Sequence, residues 1–349
     1  MSLVRQSNFE LLRIIAILLV LLLHADFFAL SGPSVNEIES NTIDSTLRIL
    51  FQTICIAAVD IFVMISGWFG IKPTFKGFIN LIFQTLYYAI LIYAICVVCG
   101  FESITFTGIK DIILATSGNW FIKSYILLYI LAPILNAYIE SAKRSQLRFT
   151  LTCFYIFQFI YGWLFPASTD YLVGGYSPIS FIGLYLLARY IRIYEPWPTN
   201  KSQKALCVYL VAIFIFVTTA CVVPSIAFGL NNVYGYNFLT YISPTTIACA
   251  VLTVILISKL SISNSLVNRL AKSSFAVYLV FVNPNILSSY GNQFSILHHH
   301  YTGVMYWVIT ILIVLALYAL VSMTDTARIY FYNRLCHLYL SNKTSCFNE

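Results

Sequence analysis

Charge is what this 349-residue chain has least of: Asp, Glu, Lys and Arg make up 9% of it, against 60% hydrophobic residues. Soluble domains carry about a quarter charged residues, so that class is excluded. Long polar stretches are missing as well, and none approaches the roughly 50 residues of a small soluble domain. There is no convincing internal repeat, which argues against a transporter built from inverted repeats. Cys96 and Cys99 have no second cysteine pair and no histidine near them in sequence, so a zinc site is not indicated. Most of the nine cysteines, among them Cys55, Cys153, Cys207, Cys221 and Cys249, fall in or beside apolar segments and read as free thiols packing as small hydrophobes.

What the chain does have is apolar runs of about 20 residues, each long enough to cross a hydrocarbon core of about 30 Å as a helix. Mean hydropathy is +0.83. The runs predict an all-α, polytopic membrane bundle of about ten transmembrane helices, near residues 8–30, 47–70, 78–100, 119–139, 149–166, 177–194, 205–224, 239–258, 274–291 and 303–323. An even count puts both termini on one side. Most Lys and Arg residues, from Arg5, Lys72 and Lys76 through Arg189, Arg269 and Arg334, share that side, which the positive-inside rule makes cytoplasmic. Only Arg48, Lys110 and Lys123 fall at or beyond the other boundary, where Glu37, Glu39, Asp44, Glu102, Asp111 and Asp170 gather. The net charge of +7 therefore reports topology and implies no nucleic acid.

Arg5 ahead of the first run, with Ala29, Leu30 and Ser31 after it, resembles a signal peptide. Glu10 and Arg13 interrupt its start and the run exceeds a signal core, so it reads as a span. Residues 1–323 form one membrane domain, with a break at Tyr194 to Lys204 between six and four spans. Residues 324–349, alternating Arg328, Tyr330, Tyr332, Arg334, His337 and Tyr339, suit a tail anchored at the cytoplasmic interface. The 25 Tyr and 27 Phe exceed what lipid-facing helices need, so some are expected to line a cavity.

Chemistry concentrates in the first span. Arg13 and His24 are separated by ten residues, and eleven helical steps of about 100° and 1.5 Å return to within roughly 20° of the same face, about 16 Å along the axis. Ionisable residues at membrane depth mark functional sites. His24, the only histidine inside a predicted span, suits proton removal from a hydroxyl near neutral pH, and Arg13 suits an anionic substrate. Glu10 pairs naturally with Arg13. Asp26, two residues past His24, points away from it, so a partner for the imidazole is expected from elsewhere, with Asp60 in the second span the best candidate. Asp60 alternatively serves as helix-helix glue, and Ser66 and Gly67 suit close helix packing. In the fourth span Trp120 fits an interfacial anchor, and Lys123 meets either the surface or an anionic acceptor. The run His298, His299, His300 has no acidic or cysteine residue beside it in sequence and makes a poor metal site.

At these residues the chain resembles the acyltransferase 3 family, integral membrane enzymes of about ten helices that decorate bacterial surface polysaccharides, commonly with acetyl. The family's marker is an arginine and a histidine ten residues apart in the first helix, here Arg13 and His24. Val59 to Gly67 is similar to its second helix, Trp120, Phe121, Tyr125, Leu128, Tyr129, Leu131, Pro133 and Asn136 to its fourth-helix pattern, and Phe181 to Arg192 to its glycine, tyrosine and arginine helix end. One departure is Phe281, which follows Tyr278, Leu279 and Val280 where family members often carry a histidine.

The resemblance implies a membrane O-acyltransferase of the inner membrane, taking acetyl from cytoplasmic acetyl-CoA as co-substrate, without a metal, to a hydroxyl of a surface or lipid-linked polysaccharide. His24 is expected as general base or transient acyl carrier, Arg13 as the grip on donor phosphate or carbonyl, and Asp60 as the group that sets the tautomer of His24 or balances Arg13. Arg144, Arg148 and Arg192 are further candidates for the coenzyme, and Lys123, Trp120 and Tyr125 for the acceptor. The rival readings are a transporter or flippase of lipid-linked saccharide, which needs cavity charges in several helices, and a polymerase, which needs a large outer loop.

Overall fold

A computed structural model describes residues 6–113, 120–165, 172–228 and 237–345. Gly118, Asn119 and Asp170 lie outside the described residues, as does Arg5. The chain begins with α1 (Ser7–Leu30), a short α2 (Val35–Ser40), α3 (Thr42–Ile56), α4 (Ala58–Phe69), α5 (Phe75–Val98), α6 (Phe106–Ile113) and α7 (Trp120–Ser141). It continues with α8 (Arg144–Phe157), which opens into a π-helical stretch over Gln158–Leu164, then α9 (Pro178–Tyr194), α10 (Gln203–Phe228) and α11 (Pro244–Ser258). The last elements are α12 (Ser265–Leu270), α13 (Ser274–Phe281), α14 (Pro284–His300) and α15 (Gly303–Ser345). No strand occurs among the described residues.

By length and composition, six helical segments suffice to cross a membrane: Ser7–Leu30, Thr42–Phe69, Phe75–Val98, Trp120–Ser141, Gln203–Phe228 and Gly303–Arg334. The pair Ser265–Phe281 and Pro284–His300, bent by 86°, makes a seventh if it counts as one span. The expected ten is larger because hydropathy windows read across interruptions. One expected span contains the π-helical stretch after Phe157, and another contains the bend before Pro284, while Pro178–Tyr194 and Pro244–Ser258 are too short to qualify. α15 runs unbroken from Gly303 past Thr324 into the aromatic and basic tail, and Arg328 is buried in an ion pair with Asp325, to which Tyr88 of α5 donates at 2.7 Å.

α1 stands at the centre, packed against α3, α4, α11, α13, α14 and α15. It is apolar on nearly every side, as a helix surrounded by others requires. Its start is pinned by Asn8, which donates to the Ile257 carbonyl at 2.9 Å, and by the Ser7 hydroxyl, which accepts from the Asn264 N–H. Peripheral helices instead turn Val208, Val211 and Ile215 of α10 outward at helical spacing, the face a lipid tail would cover. The tightest seam joins α4 to α9. A Cβ at Gly67 would stand 2.6 Å from the Tyr185 carbonyl oxygen, so only glycine permits this approach. Gly70, at φ +73°, then turns the chain away beneath Arg189.

Candidate active site

The His24 ring is half-buried, and its Nδ1 lies 2.7 Å from the carbonyl oxygen of Val20, one turn back on α1. A carbonyl oxygen only accepts, so Nδ1 carries the hydrogen and a neutral ring presents Nε2 as its lone-pair nitrogen. No group among the described residues hydrogen-bonds that Nε2. Phe28 stacks on the imidazole at 4.6 Å between centroids. Neighbouring helices fix the backbone around it: the Tyr290 hydroxyl of α14 donates to the Leu21 carbonyl at 2.9 Å, and the Tyr306 hydroxyl of α15 to the Ala25 carbonyl at 3.0 Å. The orienting group is thus main chain rather than a second acid.

Towards the other end of α1, Arg13 donates to Glu10 at 2.9 Å and keeps a third of its side-chain surface open. Tyr125 of α7 lies near enough to feel its charge and shares a 3.1 Å hydrogen bond with Ser66 of α4. Close by in the fold, Trp68 packs on Phe9 of α1 while Arg192 lies over its ring at 5.2 Å and Arg189 donates to its carbonyl. The Tyr185 hydroxyl completes this end, donating to Asn136 at 2.6 Å and accepting from the Ile71 N–H. Between the two ends, Ile17 and Val20 on the Arg13–His24 stripe are buried. The polar end at Arg13 and the histidine therefore lie at opposite ends of a buried apolar stretch of α1.

The remaining expected residues scatter. Asp60 is buried in the first turn of α4, and among the described residues no hydrogen bond or ion pair joins it to His24 or Arg13. The reason is register. Phe9 packs on Trp68 and Phe69, and Asp26 bonds Gln52, so the antiparallel pairing sets Asp60 roughly 10 Å along the axis from the level of His24. Arg144 lies over Tyr194 at 5.4 Å, and Arg148 is exposed. Trp120 sits in an aromatic cluster with Phe121, Tyr176, Phe181 and Tyr241, whereas Lys123 is turned outward. His298 accepts no metal-like neighbours: it bonds Asp44 at 3.0 Å, and no group of three His, Cys, Asp or Glu side chains occurs among the described residues. Among the described residues, Cys55, Cys96, Cys99, Cys153, Cys207, Cys221 and Cys249 form no disulfide.

A sequence profile described as an acyltransferase domain matches residues 6–323, nearly the whole chain. The chain belongs to the acyltransferase 3 family. It is accordingly a multi-pass membrane acyltransferase, and the matched region takes in both ends of α1 and Trp68. No curated protein and no solved structure gives a match.

Two features of this acyltransferase escape a reading of the sequence alone. Arg48, assigned there to the outer boundary, is fully buried: its Nε donates to Asp26 at 2.8 Å and its Nη2 to the Ser31 carbonyl at 2.7 Å, while Gln52 donates to the other Asp26 oxygen. The signal was available, since a lone arginine on the acidic side of a membrane chain needs an acid and Asp26 had none. Arg189 counted only as a topological charge. Its place at the Trp68 carbonyl follows from the α4–α9 seam, which no local pattern announces.

Proposed function

We propose that this acyltransferase moves an acetyl group from cytoplasmic acetyl-CoA to a hydroxyl of a cell-surface or lipid-linked polysaccharide, such as a lipopolysaccharide O-antigen, in the bacterial inner membrane. The observation that carries the reading is the 2.7 Å contact of His24 with the Val20 carbonyl, which leaves Nε2 as the basic edge. The acceptor oxygen attacks the thioester carbon as Nε2 takes its proton. The carbon–sulfur bond then breaks, and the thiolate leaves with a proton returned from the imidazolium. His24 is the catalytic residue. Arg13, about 16 Å away, holds donor phosphate with Arg189 and Arg192 and positions the thioester without touching it.

The apolar character of α1 at Ile17 and Val20, between its two ends, supports this division of labour. An uncharged acyl-pantetheine arm suits it, whereas a phosphate would have to shed its water there at large cost. The charged nucleotide stays on its own side, and the uncharged arm carries the acyl group to His24. A flippase reading gains nothing from the further buried charges, because Asp26–Arg48 and Asp325–Arg328 are closed pairs rather than cavity linings.

The test is incorporation of labelled acetate into surface glycan at matched protein levels. His24→Ala is expected to lower it by about 10²–10⁴-fold, the usual worth of a general base, and unchanged labelling would end the proposal. Arg13→Ala is expected to raise the acetyl-CoA KM by about tenfold with a smaller effect on kcat, as loss of a charge-assisted contact to a non-reacting group does.

A further inference from the structure

Four buried oxygens on α4, on α9 and on α8 with its π-helical continuation have no hydrogen-bond partner, and helix register brings them to one level of the bundle: Asp60 Oδ2, Tyr155 Oη, Gln158 Oε1 and Ser180 Oγ. Asp60 is 1% exposed, Gln158 2% and Ser180 4%. Their convergence follows from helix register. Arg144 over Tyr194 and Phe154 against Gly183 align α8 and α9 antiparallel, and the same alignment continued sets Ser180 level with Gln158. Gly67 against Tyr185 and Ala188, with α4 and α9 parallel, sets Asp60 seven residues earlier against residues 178–181. Tyr155 stands one turn before Gln158, close enough to Asp60 to interact electrostatically. Gln158 also begins the π-helical stretch, a distortion frequent at functional sites.

The chemistry of the set is uniform. Each orphan is an oxygen, one is a carboxylate oxygen, and no basic side chain among the described residues forms an ion pair with that carboxylate. The first turn of α4, just past the break at Ala57, supplies no counter-charge. Burying such a carboxylate without a partner is costly. A divalent ion would leave a net positive charge inside the bilayer, whereas one monovalent cation neutralises the site. Oxygen ligands of this kind select hard cations.

We propose that Asp60, Tyr155, Gln158 and Ser180 form a binding site for an alkali cation that locks α4, α8 and α9 together. The cation contributes to the stability of the bundle and lies apart from the His24 and Arg13 ends. The test is thermal unfolding of the purified full-length protein in detergent at fixed pH and ionic strength, in sodium, potassium or N-methylglucamine chloride. One or both alkali salts are expected to raise the midpoint by about 3 °C at saturation, and the more effective one identifies the ion. Asp60→Asn should abolish the rise, and Ser180→Ala, which removes a single ligand, should shift it to higher salt. Equal midpoints in all three salts, with a midpoint that climbs as pH falls, would mean a proton holds Asp60 and would overturn the site. A rise that survives in Asp60→Asn would overturn it too.

Discussion

Asp26 and Asp60 are both buried acids in spanning helices, and they are treated oppositely. Asp26 is saturated, with Arg48 on one oxygen and Gln52 on the other, and Arg48 is itself spent on the Ser31 carbonyl. Asp60 keeps an oxygen with no partner at all. A closed ion pair ties α1 to α3 and has no donor left over for a visitor, so it reads as architecture. An open carboxylate held in the same depth of apolar surroundings reads as a place prepared for something absent from the chain itself.

The contrast can be broken hardest at Arg48. Arg48→Ala strands the Asp26 carboxylate and is expected to cost about 3–5 kcal/mol, seen as loss of folded protein and a lower unfolding midpoint. Adding Asp26→Ala should recover part of that loss, a non-additivity that a double-mutant cycle would register. Next in size is Gly67→Ala, which drives a methyl into the Tyr185 backbone and should cost about 1–3 kcal/mol, loosening the seam that frames the Asp60 site. The smallest effect is expected from Asp60→Asn in N-methylglucamine chloride, where the uncharged amide should unfold no earlier than the parent. A fall as large as that of Arg48→Ala would show that Asp60 has a partner after all.

Much of α1 was legible beforehand because helix geometry alone aligns Arg13 with His24, and the motif around Val59 to Gly67 marked the helix that packs beside it. The group that orients His24 was not legible. Any residue type at position 20 would supply the same carbonyl, so its role leaves no trace in composition, and the search for a side-chain partner went to Asp60. Asp26 and Arg48 were hidden for another reason: they are 22 residues apart on different helices, and only the antiparallel return of the chain brings them together. The ten expected spans exceed the six or seven long apolar segments among the described residues because apolar character continues through breaks that hydropathy does not sense, as after Phe157 and before Pro284.

The tether between His24 and Val20 lies wholly within one helix. Rocking or sliding of α1 against its neighbours therefore carries the imidazole and its anchor together. Such a motion leaves unchanged which ring nitrogen carries the hydrogen, because the carbonyl that holds it travels along.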